Sequence, residues 1–302
     1  MWFRNLRIYT LADDFVLPEN LDTALEAEQF QPCGRQELAS FGWSSPFGTN
    51  NDQLVLRIGD HSLFCARKEE RVLPAAVING ELEQQLQVIE AEQDRKVGAK
   101  EKQTMKEDII HRLMPQAFTK FSSTWGMINM QHRVVIVDAS TAAKAENFLA
   151  LLRGSLGSLP VKPWLSSDSA ELFFTQWLRD SHIPGDFEFG DELELRDTID
   201  EGGVVRARQI DLTSTEIKNH LEHGKQVTKL GLIWADRLSF VMEADCSIKR
   251  LKPTDRLTDE QEKISNISSA EKIDSDFALL SGELHELFPA LVSLFQSQEG
   301  LE

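Results

Sequence analysis

"VVRARQ" (residues 204–209) decides how this chain is read. In an extended segment successive side chains point to opposite faces. Arg206 and Arg208 therefore share one face, and Val205 and Ala207 share the other. A strand with a cationic face and an apolar face belongs to a sheet that covers a core on one side only. The chain has 302 residues and a net charge of -17, so a pair of arginines on one short strand is a local exception.

The same alternation is read further along. In "KQVTKLGLIW" (225–234), Lys225, Val227, Lys229 and Gly231 share a face, and Gln226, Thr228, Leu230 and Leu232 share the other. In "SIKRLKP" (247–253), Arg250 and Lys252 share a face, with Lys249 opposite. Laid side by side, these runs gather Arg206, Arg208, Lys225, Lys229, Arg250 and Lys252 on one surface that suits a phosphate backbone. About six neutralised phosphates would give a slope of roughly -5 in log K against log salt. Phosphate contacts carry no sequence information, so weak sequence preference is expected. The competing reading is the ordinary polar outer face of an antiparallel sheet, which is often rich in lysine.

Charge is unevenly distributed. Residues 202–253 carry 9 basic and 6 acidic side chains, while residues 166–201 and 254–302 are net -9 and -8. The acidic stretch "DELELRDTIDE" (191–201) reads as a solvated face. Acidity overall favours solubility and argues against a protein that coats nucleic acid with its whole surface.

Helical and strand-like patterns alternate along the chain, and an α+β protein is expected. Residues 2–11 read as a strand, 19–29 as a short helix after Pro18, and 31–52 as loop with one helical turn. A strand pair comes next, across Gly59-Asp60. Helical spacing then predicts two long helices, 75–96 and 100–121, as a hairpin, with Pro115 bending or ending the second. The turn carries Arg95, Lys96, Lys100, Lys102 and Lys106, either a basic tip or a solvated surface with ordinary i,i+4 pairs. Strands at 124–130 and 133–138 lead to a helix capped by Ser140 or Thr141. "RGSLGSLPVKP" (153–163) resembles a linker. Thr213 and Glu216 have capping-box spacing before a helix at 214–223. Residues 253–275 read as a polar loop, and 276–296 as an apolar, mostly helical segment. Three parts are expected: residues 1–75 with 122–165, the helical arm 76–121, and residues 166–302.

Catalytic motifs are missing from the sequence. "RGSLGSLP" lacks the Lys-Ser/Thr of a phosphate-cradling loop, and GxSxG and HExxH do not occur. His220 and His223 lie three apart on a predicted helix without a third ligand. Cys33, Cys65 and Cys246 are too scattered for a zinc site and read as reduced thiols of a cytosolic protein. No metal, cofactor or membrane span is expected. The readings left open are a DNA-binding protein, an acidic protein-interaction module and a metal-dependent nuclease.

"MWFRNLRIYTL", "FQPCGRQEL", "FGWSSPFG", "CARKEERVLPAAVIN", "LMPQAFTKFS", "LALLRGSLGSLPV", "DEGGVVRARQIDLTSTEIKNHLEHGKQVTKLGLIW" and "SIKRLKP", in that order, resemble the bacterial RdgC family of recombination-associated proteins. The resemblance runs from residue 1 to about 295. It implies a non-enzymatic, cytoplasmic, nucleoid-associated protein with a horseshoe monomer of α+β domains that closes as a ring-shaped homodimer. Such a ring would encircle double-stranded DNA, with single-stranded DNA as a further partner, and restrain RecA-driven recombination. By the same resemblance, Phe118 in "PQAF" implies a dimer contact, Arg206, Arg208, Lys225 and Lys229 line the hole, and Arg95 and Lys96 form a second basic patch. Gln116 and the Gln209-Ile210 pair depart from the family pattern. With two cations lost there, Lys249, Arg250 and Lys252 are the available substitutes.

Overall fold

A computed structural model describes residues 1–48, 51–165, 170–199, 202–262 and 269–296. In chain order the first elements are β1 (Leu6–Leu11), α1 (Leu21–Glu26), β2 (Ala39–Ser44), β3 (Val55–Ile58) and β4 (His61–Val72). The middle of the chain supplies α2 (Ala75–Gln93), α3 (Ala99–Leu113), β5 (Phe118–Asn129), β6 (Val134–Asp138), α4 (Ala142–Leu156) and β7 (Val161–Pro163). The rest is α5 (Ala170–Asp180), β8 (Phe187–Arg196), β9 (Val204–Arg208), α6 (Thr215–Glu222), β10 (Gln226–Trp234), β11 (Leu238–Glu243), β12 (Ile248–Pro253), α7 (Asp255–Glu262) and α8 (Ser269–Gln296). The protein is α+β, with a large antiparallel sheet and several helices.

The chain divides into two compact units. One comprises Met1–Leu25, Ser45–Cys65 and Thr124–Glu302, and the other Glu26–Ser44 and Ala66–Ser123. In the first, strands pair in the order β6-β1-β12-β11-β10-β8-β9, with β7 also on β1. Period-2 patterning explains why one face is buried. Leu193 and Leu195 of β8, Leu230 and Leu232 of β10, and Phe240 and Met242 of β11 all enter the core. They meet Phe174, Trp177 and Leu178 of α5 and Phe277, Leu280, Leu284, Leu287 and Leu291 of α8. Phe295 is the aromatic hub, with ring centroids 5.5 Å from Phe173, 5.6 Å from Trp177 and 6.2 Å from Trp164. By length and composition α8 could cross a bilayer, contrary to the sequence expectation. Its apolar stripe is occupied by the sheet, which makes it a core helix.

The second unit contains β2, the outer parts of β4 and β5, and the α2–α3 hairpin. Arg71 ties its loops together, donating to the carbonyls of Glu37, Met114 and Gly34 at 3.0–3.2 Å.

Several local expectations are revised. The second long helix ends at Leu113, Pro115 sits in a 3-10 turn, and residues 118–121 begin β5. Pro115 has no N–H to continue the i to i-4 ladder, and the Phe-Thr-Lys-Phe run shortly after it suits a strand. The turn-rich segment 31–52 contains β2. The linker-like 153–163 is the end of α4 followed by β7, which pairs with β1. Thr141, not Ser140, caps α4, its hydroxyl accepting the Lys144 N–H at 3.3 Å. The Thr213–Glu216 capping box does not form, because the Thr213 hydroxyl is committed to Asp211 at 2.7 Å and Ser214 takes the cap position. The polar 253–275 segment holds α7 and the start of α8, with 263–268 outside the described residues.

Candidate nucleic-acid interface

The outer face of β8 to β12 is built by register. Arg206 lies opposite Glu194 and Arg208 opposite Glu192. Residues directly opposite across an antiparallel pair share a face, so each arginine stands beside a carboxylate. Arg206 Nε donates to Glu194 Oε2 at 2.8 Å, and Arg208 Nε lies 3.4 Å from Glu192 Oε2. Both side chains remain about two-thirds exposed, at 67% and 68%.

On β10 a bulge overturns the plain alternation. Val227 pairs with Leu195 and Lys229 with Glu194, so the extra residue Thr228 shifts the phase. Val227 turns into the core, while Lys229 points outward, 2.8 Å from Glu243 and 3.9 Å from Glu194. Lys225 precedes the strand and is bound to Asp197 at the β8–β9 turn, where little of its side chain is exposed.

A second bulge, in β12, revises the other prediction. Ser239 pairs with Lys252 and Val241 with Lys249, leaving Arg250 and Leu251 between them, with Arg250 at φ 54°. This left-handed residue brings Lys249 and Arg250 to the same face. Lys249 Nζ lies 3.7 Å from Glu243 and donates to the Ser140 carbonyl at 2.7 Å. Arg250 Nη1 is 2.5 Å from Glu192 Oε2. Lys252 is exposed opposite Ser239 and lines, with Arg4 and Arg250, a neighbouring groove of about 1260 Å³.

Two cross-strand rows result. One reads Arg206–Glu194–Lys229–Glu243–Lys249, and the other Arg208–Glu192–Arg250. With Arg196 and the Lys225–Asp197 pair, seven cations meet four carboxylates, a local surplus of three. Glu194 is the keystone. Its side chain is only 5% exposed, and it also accepts from Arg196 at 2.9 Å and Thr228 at 3.2 Å. Burial favours its neutral form, but the bonds from Arg206 and Arg196 and the charge of Lys229 outweigh that and hold its carboxyl below the usual range. Burial pulls the Lys249 ammonium below its ordinary range, with Arg7 adding to this and Glu243 and Asp245 opposing it.

Glu192 and Glu194 correct the view of residues 191–201 as a detached acidic face, at least over its first half. The signal is present in "DELELR", where Glu192, Glu194 and Arg196 share a face at period 2. Residues 200 and 201 lie outside the described residues.

The remaining candidates belong to the second unit. Arg95, in the turn between α2 and α3, is held by Glu101 through two 2.8 Å bonds and by Gln93 at 2.7 Å. Lys96 beside it is exposed. Phe118 opens β5 with 87% of its surface exposed, among the exposed apolar residues Leu38, Val72 and Phe121. The Arg67 guanidinium lies 4.4 Å from the Phe121 ring centroid, within cation–π reach. In the first unit, His223 donates from Nδ1 to the Asn219 carbonyl at 2.6 Å. Among the described residues, no three His, Cys, Asp or Glu side chains gather as metal ligands would.

The fold and the site define an α+β protein whose antiparallel sheet is apolar on its inner face and carries rows of paired and surplus cations on its outer face. Comparison narrows the class. A family model described as "Putative exonuclease, RdgC" matches residues 1–298. A protein of Aeromonas hydrophila subsp. hydrophila, named recombination-associated protein RdgC, is 43% identical over 300 residues, 99% of each chain. One of Salmonella typhimurium with the same name is 44% identical over 293 residues, 97% of each chain. The chain belongs to the RdgC family of recombination-associated proteins.

Proposed function

We propose that the chain binds DNA through the outer face of β8–β12 with little sequence preference, and that it does so as a ring-shaped homodimer enclosing the duplex. The observation that carries this reading is the surplus of three cations in the two rows, within a chain of net charge -17. A local excess of positive charge on a strongly acidic molecule is useful where it meets a polyanion. The relatives' names associate them with recombination. In this reading two horseshoe-shaped protomers close the ring, and the protein works on the nucleoid in the cytoplasm. It restrains RecA-driven recombination by occupying the DNA that RecA needs. Phe118 fits one closing contact, since a large, exposed ring is what a dimer anchor looks like in the free protomer. Arg95 and Lys96 are a weaker second patch, as Glu101 already engages Arg95.

The test is residence time. The protein should leave linear duplex by running off its ends and stay longer on a covalently closed circle of the same sequence. Equal lifetimes on both forms would reject enclosure. Arg206→Glu with Arg208→Glu should weaken duplex binding while the dimer persists. If excess duplex DNA relieves inhibition of strand exchange, occupancy of DNA is the mechanism. Persistent inhibition would favour direct contact with the recombination machinery.

The description of the family as an exonuclease favours a second reading, that of a nuclease. Incubation of end-labelled linear and supercoiled DNA with magnesium or manganese decides it. Shortening or nicking above a mutant control would establish an enzyme.

A further inference from the structure

Glu192 and Glu243 are placed unlike ordinary surface carboxylates. Each is wedged between two cations contributed by different strands. Glu192 lies between Arg208 of β9 and Arg250 of β12, and Glu243 between Lys229 of β10 and Lys249 of β12. Each is about a quarter exposed, whereas the arginines around Glu192 are half to two-thirds exposed. Arg208 and Arg250, and beside Glu243 Lys229 at 36% exposure, thus reach solvent with their donors already turned toward an oxygen anion, whereas Lys249, at 13%, is held inside by Glu243 and the Ser140 carbonyl. Carboxylate and phosphate oxygens accept from the same guanidinium and ammonium donors at similar distances. Glu192 Oε2, which receives Arg250 Nη1 at 2.5 Å and faces Arg208 Nε at 3.4 Å, occupies the position a bridging phosphate oxygen would take.

We propose that Glu192 and Glu243 are built-in phosphate surrogates that compete with the DNA backbone for Arg208, Arg250 and Lys229, and so set the affinity of the interface low. Glu194 differs from them. It is nearly buried, accepts from Arg196, Arg206 and Thr228, lies 3.9 Å from the Lys229 ammonium, and positions Arg206 and Lys229. The inference rests on the DNA-binding reading above and concerns how that same face is tuned. With the surrogates in place, a phosphate that leaves is replaced by a carboxylate at once, so no cation is stranded. Contacts can then exchange along the backbone one at a time, as a protein that moves on DNA without reading it requires.

The sign of the effect makes the inference testable. Loss of an ordinary supporting contact weakens binding, whereas loss of a competitor strengthens it. Glu192→Gln keeps the shape and removes the charge. A phosphate held by the same two arginines would lie about 5 Å from that carboxylate, where unit charges in water repel enough to change affinity roughly three- to fivefold. Fluorescence anisotropy with a short labelled duplex should therefore show Glu192→Gln binding about three- to fivefold tighter than the parent at low salt. The slope against log salt should be steeper, because one more cation is available to release counterions. Glu243→Gln should behave alike and serves as the independent variant if thermal melting shows Glu192→Gln to be misfolded. Unchanged or weaker binding with an unchanged slope in both variants would overturn the inference. Arg206→Glu with Arg208→Glu is measured alongside. If it too binds like the parent, the interface itself is wrongly placed; if it weakens while the glutamine variants stay flat, only the surrogate role is lost.

Discussion

The decisive perturbation of the interface is Arg206→Ala combined with Arg208→Ala, read as salt dependence rather than as affinity at one condition. Counting exposed cations from the sequence gives six, and the double variant would keep four. Its slope in log K against log salt would then be about two-thirds of the parent's. The ion-pair network gives a different count. Seven cations face four carboxylates, a surplus of three. Removing two leaves one, so the slope should fall to about one-third of the parent's. The ratio holds whether one or two protomers engage the duplex, because the number of faces cancels. The fold should survive. Glu194, although nearly buried, is not left unpaired when Arg206 is removed, because it keeps Arg196, Thr228 and the charge of Lys229. The assay is anisotropy titration of parent and variant across a salt series, with thermal melting as the folding control. A ratio near two-thirds would show that the carboxylates do not offset the cations. A ratio of one would remove these arginines from the interface.

Named contacts set four further outcomes. Phe118→Ala should leave protomer stability within about 0.5 kcal/mol, the ring being exposed, yet weaken dimerisation by a few kcal/mol, as sedimentation of parent and variant would reveal. Glu194 has a folded pKa below its ordinary 4.5, so its contribution to stability is complete above that value and is lost as pH falls through the lowered one. Melting temperature should drop in that acid range, and Glu194→Gln should flatten the drop. His61 and His132, pressed toward neutrality by burial and by His285, should contribute stability that is full above pH 6.5 and lost as pH falls through their lowered values. His61→Gln should reduce that part of the pH profile. Phe295→Ala should cost about 3–5 kcal/mol in denaturant unfolding by emptying the aromatic cluster between α5 and α8.

Periodicity makes much of this fold legible. The α+β class, the β3–β4 hairpin, the α2–α3 hairpin and the exposed pair Arg206–Arg208 are all readable from spacing, because nothing interrupts the pattern in those segments. The failures share one cause: an event that a two- or 3.6-residue period does not encode. Thr228 and Arg250 are inserted relative to their partner strands, and each bulge reverses the face taken by the residues after it. Plain alternation therefore places Val227 with the lysines and Lys249 against them, and the structure inverts both placements. A bulge depends on what the neighbouring strand can accommodate, here Glu194 opposite Lys229 and a left-handed Arg250, and neither is visible within one strand. The missed β2 is similar, since residues 31–52 look like loop until Arg71 and the chain beside it provide hydrogen-bond partners.

The interleaving of Glu192, Glu194 and Glu243 with the cations also changes what the net charge means. Dividing the sequence into basic and acidic blocks suggests two separate surfaces, one for DNA and one for solvent. Strand pairing instead threads part of the acidic block through the basic one, because β8 is the neighbour of both β9 and β10. At cross-strand spacings of about 5 Å, well inside a Debye length of about 8 Å, neighbouring charges act as a group on anything outside them. A phosphate meets the difference between cations and carboxylates, not the number of arginines. A face with a small surplus binds weakly and exchanges contacts readily. Enclosure in a ring would then supply the retention that such contacts lack, so weak individual contacts and long residence on circular DNA are expected together.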